Sequence, residues 1–215
     1  MKNRFLRELE RHAPFTAFGA VTGIAIMAAS YNMPQKIAFR LFYTLHPLHV
    51  LLSALVTAAM YKNYKCGDDK HGCNIFELLA VGFVGSIGIA TLSDCIIPYI
   101  GEKLLHMPHA ELHTGFIEMW WLILPLAAIG VGIAYFWPRT KIPHAGHVLI
   151  STWASLFHMI MAEGKPLGLL AYAAVFAFLF IAVWVPCCMS DIVFPLLFVG
   201  KGDEDELGCP LCHEE

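Results

Sequence analysis

Apolar residues fall in six long blocks along this chain, at residues 15–33, 38–61, 75–100, 114–137, 144–162 and 167–199. Each is close to or above the roughly 20 mostly apolar residues that a helix needs to cross a bilayer. Little chain remains between the blocks, so no soluble domain is expected. The third block contains Glu77 near its start and Asp94 deep within it, and the sixth is interrupted only by Asp191.

Composition agrees with the pattern. Of 215 residues, 58% are hydrophobic and 14% charged, with a mean hydropathy of +0.62. Soluble domains carry about 25% charged residues. The N-terminal stretch MKNRFLRELERH is basic, but the apolar block after it is long and lacks a small-residue cleavage site, so it reads as a retained first helix. No basic patch is interleaved with aromatics, and nucleic acid is not an expected partner.

With the N-terminus inside, ten of the 14 Lys and Arg residues fall on inner segments and four (Lys36, Arg40, Lys103, Lys165) on outer loops. The positive-inside rule then puts both termini in the cytoplasm. Cys66, Cys73, Cys209 and Cys212 lie in inner segments in that orientation, where thiols stay reduced. Trp137 beside Arg139 reads as an interfacial anchor.

The chain repeats itself. HPLHVLLS at 46–53 returns as HAGHVLIS at 144–151, 98 residues later. SDCIIP at 93–98 returns as SDIVFP at 190–195, offset by 97, and TAF at 16–18 is echoed by TGF at 114–116. Three echoes in one order imply a duplicated three-helix unit. An odd number of crossings starts the second unit on the opposite side of the membrane, which inverts it. Inverted repeats characterise secondary transporters, with substrate sites where the repeats meet. The fold expected is therefore an all-α polytopic membrane protein with six transmembrane helices in two inverted three-helix repeats. Residues 1–14 form a cytoplasmic segment, 15–101 and 102–200 the two repeats, and 201–215 an acidic Cys/His tail.

The repeated positions carry metal chemistry. His46 and His49 project from one helix face, and adjacent imidazoles suit Zn, Fe, Ni or Cu, with carboxylates extending the choice to Mn. Asp94 is the natural carboxylate; His144, His147 and Asp191 form the equivalent set. Ionisable groups inside the hydrocarbon usually mark a substrate path or a proton relay. Pro98 and Pro195, four residues past each Asp, remove the hydrogen bond to the Asp carbonyl, which would offer a cation two oxygens at one kink. A single HxxH is more ordinarily explained by local hydrogen bonding; duplication with a matched Asp shifts the balance toward a metal. Ser53, Ser93, Ser151 and Ser190 read first as small residues that let helices approach, and second as hydrogen-bond donors.

HMPHAELHTGFIE at 106–118 breaks the symmetry. His106, His109 and His113 share one side if the stretch is helical; with Glu111, Glu118 and the distant His158 they suggest a metal-capturing mouth. An interfacial loop with titrating histidines is the bland alternative. The tail ends in CPLCHEE, a match to the c-type haem attachment pattern and equally a soft-metal ligand set. The same chemistry recurs in CGDDKHGC at 66–73. Cys187 and Cys188 are soft ligands or small core residues.

The function expected is transport of a divalent transition metal (Zn, Mn, Fe, Ni or Cu) by alternating access, with protons as the coupling ion and the lipid bilayer as the surrounding partner. A homo-oligomer is compatible with the pattern. On the topology above, the first His/Asp set lies toward the outside and the second toward the inside, as successive stations. A b-type cytochrome binding haem is the first alternative, although an i, i+3 histidine pair cannot straddle one haem. A metal-dependent enzyme acting on a lipid is the second.

Overall fold

The structure is a computed structural model that describes residues 2–30, 33–66, 74–138, 141–164, 167–189 and 194. Every regular element among them is helical. Helix α1 spans Lys2–Ala29 and runs through Pro14 without a break, so the basic N-terminal segment continues the first apolar helix. Helix α2, Gln35–Tyr61, follows Pro34 and continues as a single π-turn over Lys62–Cys66. Helix α3, Ile75–Thr91, is capped by Asn74, whose Oδ1 accepts the Phe76 backbone N–H at 3.0 Å. A second π-turn, Leu92–Ile96, joins it to α4, Ile97–Leu104.

Residues 105–114 form an irregular loop. A short helix α5, Gly115–Glu118, precedes the non-helical Met119 and α6, Trp120–Phe136. The chain goes on as α7, Lys141–Ala162, and α8, Leu169–Cys188. Among the described residues the helices follow the six apolar blocks, except that α1 begins at Lys2, 13 residues ahead of the first block.

Among the described residues, four stretches are long and apolar enough to cross a membrane: Gln35–Tyr61, Ile75–Leu104, Ala145–Ala162 and Leu169–Cys187. Ala13–Ala29 and Trp120–Phe136 are apolar but shorter. Large apolar side chains such as Phe18, Val84, Trp120, Trp121 and Leu170 face outward, as a bilayer would require of them. The fold is consistent with a helical membrane protein.

Helices α2 and α7 form the centre and run antiparallel: Gln35 donates from its side chain to the Met161 carbonyl at 3.1 Å, whereas His49 stacks on His147. Around this pair, α2 packs on α3 and α6, and α7 packs on α1 and α8. The remaining large contacts are α1 on α8 and α3 on α6. The core divides accordingly. One apolar cluster joins α1, α7, α8 and the first part of α2; the other joins α3, α6 and the rest of α2. Close backbone approach explains the glycine at 130, because a Cβ there would lie 2.4 Å from the Leu51 carbonyl oxygen.

Candidate functional site

Asp94 is the hub of the buried interior. Its position in the π-turn follows from Pro98, which has no N–H to return to the Asp94 carbonyl. The ladder instead loops out by one residue, with the Ile97 N–H bonded to the Leu92 carbonyl. The carboxylate is fully buried. Oδ2 accepts from His46 Nδ1 at 2.9 Å and from His49 Nδ1 at 2.7 Å. Oδ1 accepts from the Ser93 hydroxyl at 2.7 Å and the Ser151 hydroxyl at 2.8 Å. Ser155 extends the network by donating to the Ser93 carbonyl at 3.0 Å.

This differs from the sequence expectation in one respect. The carboxylate is engaged by four donors, so it orients the imidazoles and does not stand open beside its own carbonyl as a cation ligand. An ionised carboxylate only accepts; each Nδ1 therefore carries the hydrogen, and the neutral ring keeps its lone pair on Nε2. Both Nε2 atoms are buried and have no hydrogen-bond partner among the described residues. A metal-binding histidine has this arrangement, with one nitrogen donating to a carboxylate and the other facing the metal.

The helix that carries the second HxxH motif, α7, meets this centre. Ser151 reaches Asp94, and the buried His147 ring stacks on His49 with centroids 5.9 Å apart. Ser93 and Ser151 are thus donors, the role the sequence ranked second. The echo also runs one turn beyond the motif, since Thr57 stands 98 residues before Ser155. The side chains of Cys66, His144 and Cys188, together with Cys73, Ser190, Asp191, Pro195 and the tail 201–215, lie outside the described residues.

A second buried carboxylate–imidazole pair lies farther along the bundle. His158 Nδ1 donates to Glu102 Oε1 at 2.6 Å, and neither side chain is exposed. Sequence reasoning missed Glu102. It stands at the end of an apolar block beside Lys103, like an ordinary interfacial residue, and the positions 97 and 98 residues on are Val199 and Gly200, so the repeat does not mark it. Between the two centres lies Phe42, stacked on His46 at 5.5 Å and edge-on to His158 at 5.2 Å.

The 106–118 cluster separates. Residues 105–114 are not helical, so the expected common face of His106, His109 and His113 is not formed. His106, at a φ of 54°, is exposed and pairs with the Lys103 carbonyl at 3.0 Å. His109 is exposed as well. Only His113 turns inward, with its ring centroid 5.7 Å from that of His158. Glu118 Oε1 lies 3.9 Å from His113 Nδ1. Burial, reinforced by the neighbouring His158, holds His113 below the usual imidazole range. At the opposite end of α2, Glu77 accepts from the Tyr61 hydroxyl at 2.5 Å and pairs with Lys65.

Among the described residues, no three or more His, Cys, Asp or Glu side chains converge to hold a metal ion. Comparisons with family models, curated proteins and solved structures give no match to this chain.

Proposed function

We propose that this protein is a membrane transporter of a divalent transition-metal cation, built as two inverted three-helix repeats that cross the membrane six times. One observation carries the reading: two buried imidazoles share a single carboxylate through Nδ1, and both keep an unpartnered Nε2. A structural polar cluster would satisfy those nitrogens, because a buried polar atom without a partner costs about 1–3 kcal/mol. Imidazole nitrogen suits Zn, Fe, Ni and Cu and disfavours Mg or Ca.

Two supports favour transport over storage of the metal. Exchanging α1 with α6, α2 with α7 and α3 with α8 maps every large interhelical contact onto another: α2–α6 onto α7–α1, α2–α3 onto α7–α8, and α1–α8 onto α6–α3. That is the pattern of a pseudo-twofold axis through the α2–α7 pair, next to which the polar centre lies. The second support is the incomplete ligand set. Two imidazoles hold a cation loosely enough to release it, as a transport site requires, and His147, stacked on His49, is placed to complete the set when the halves rock. Protons compete with metal for the same Nε2 lone pairs, which couples the two flows.

The test is flux of Zn²⁺, Mn²⁺, Fe²⁺, Ni²⁺ and Cu²⁺ into proteoliposomes that contain the purified chain and a lumenal metal-sensitive dye. Flux of at least one ion, abolished in H46A/H49A, is expected. No flux of any ion through well-folded protein, or flux indifferent to the double change, would overturn the reading. A strong Soret band in the purified sample would replace it with the haem alternative.

A further inference from the structure

We propose that the imidazoles of His158 and His113, with Glu102 as the orienting carboxylate of His158, form a second, two-imidazole transition-metal site that serves as the access station to the Asp94 centre. This rests on the transport reading and adds a separate site to it.

The chemistry repeats that of the centre. His158 is tied through Nδ1 to a buried carboxylate, and its Nε2 has no hydrogen-bond partner among the described residues; Glu102 Oε2 has none either. A merely structural ion pair has no reason to leave two buried polar atoms unsatisfied, since each costs about 1–3 kcal/mol. The second imidazole comes from the 105–114 loop, where His113 faces His158 at 5.7 Å between ring centroids. The Tyr43 hydroxyl, 3.5 Å from His113 Nδ1, helps to fix that ring. Glu118, 3.9 Å from the same nitrogen, places a carboxylate at the rim that can attract a cation without joining its ligands.

Exposure falls in order along this set. The Glu118 side chain is 38% exposed and His113 19%, whereas His158 and Glu102 are 0% exposed. A cation arriving from solvent exchanges water for protein ligands one at a time, which spreads its desolvation over several short steps. Beyond His158 the way is blocked by the buried Phe42 ring, which touches an imidazole of each station. Phe42 therefore stands as a partition between the two stations.

The test is equilibrium dialysis of the purified full-length chain in detergent against Co²⁺, with bound cobalt measured by elemental analysis and its geometry by visible absorption. Two bound equivalents are expected. H158Q or H113N should remove one, and H46A/H49A the other. E102Q should keep the count at two while weakening the same site as H158Q by about 10- to 100-fold. His113 is on a partly exposed loop, so H113N tests the site even where a buried change impairs folding. One equivalent that is lost in H46A/H49A and kept in H158Q and H113N would overturn the second site and leave the central reading standing. One equivalent lost only with His158 or His113 would do the reverse. Two equivalents insensitive to His158 and His113, or none at all, would overturn the inference.

Discussion

Replacing Asp94 by alanine takes the acceptor from four donors at once. The two hydroxyls have alternatives: Ser93 Oγ lies 3.4 Å from the Ala90 carbonyl, and Ser151 Oγ 3.3 Å from Ser93 Oγ. The Nδ1–H groups of His46 and His49 have no other acceptor among the described residues, so they carry the cost. At about 1–3 kcal/mol for each stranded donor, D94A should destabilise the fold by about 2–6 kcal/mol. Total stabilities are about 5–15 kcal/mol, so the effect is a large fraction of what holds the helices together.

Asparagine behaves differently. Its oxygen still accepts from the imidazoles, and its amide donates to the serine oxygens, which can turn to accept. Only the charge-assisted part of the bonds is lost, about 1 kcal/mol per imidazole and about 2 kcal/mol in all. Thermal unfolding in detergent, followed by circular dichroism, should therefore rank wild type above D94N and D94N above D94A. The same D94N protein should bind metal at the central site about 10- to 100-fold more weakly. A D94A protein that melts with the wild type, or a D94N protein less stable than D94A, would refute the role assigned to this carboxylate.

Three other substitutions probe the surroundings. A Cβ at Gly115 would lie 2.3 Å from His46 Cδ2 and 2.7 Å from its Nε2, so G115A should displace the ring, cost about 1–3 kcal/mol in melting experiments, and weaken central-site cobalt binding. G130A meets the Leu51 carbonyl at 2.4 Å, away from the imidazoles; it should destabilise by a similar amount or more while the protein that folds keeps its cobalt affinity. Burial raises the Glu163 carboxyl above its ordinary value of 4.5, so the folded state binds more protons than the unfolded one and loses stability as pH rises through the folded value. E163Q should raise the melting temperature at pH 7, and the gain should vanish below the unfolded value; a gain independent of pH would count against the shift.

Much of this interior was legible in the sequence because burial in lipid forces strong patterns. The six apolar blocks located the helices, and the two HxxHVLxS copies singled out α2 and α7, which form the central pair. Asp94 was legible as a polar exception in an oily run. Its role was not, because spacing places residues on a helix without saying which donors from other helices reach them. Glu102 escaped since a carboxylate at a helix end is ordinary in a sequence, and only tertiary packing buries it against His158. The 106–118 histidines misled for the opposite reason: their spacing suits a helix, but the loop with Pro108 and the left-handed His106 does not form one.

The π-turn at Leu92–Ile96 works as a vernier between two helices of unequal count. Asp94 meets Ser151 and Glu102 meets His158, so eight residues on one helix are matched to seven on α7. In an unbroken α-helix, a step of eight residues leaves the second side chain rotated by about 80° from the first, while a step of seven leaves only about 20°. Looping out one residue makes eight behave as seven and brings both carboxylates to the same face. The length of the chain between Asp94 and Glu102 is thus tied to the turn itself. Deleting one residue from it would keep the phase, with Pro98 still leaving one carbonyl without its helical N–H, whereas a deletion after Ile97 would swing Glu102 away from its histidine by about a quarter turn.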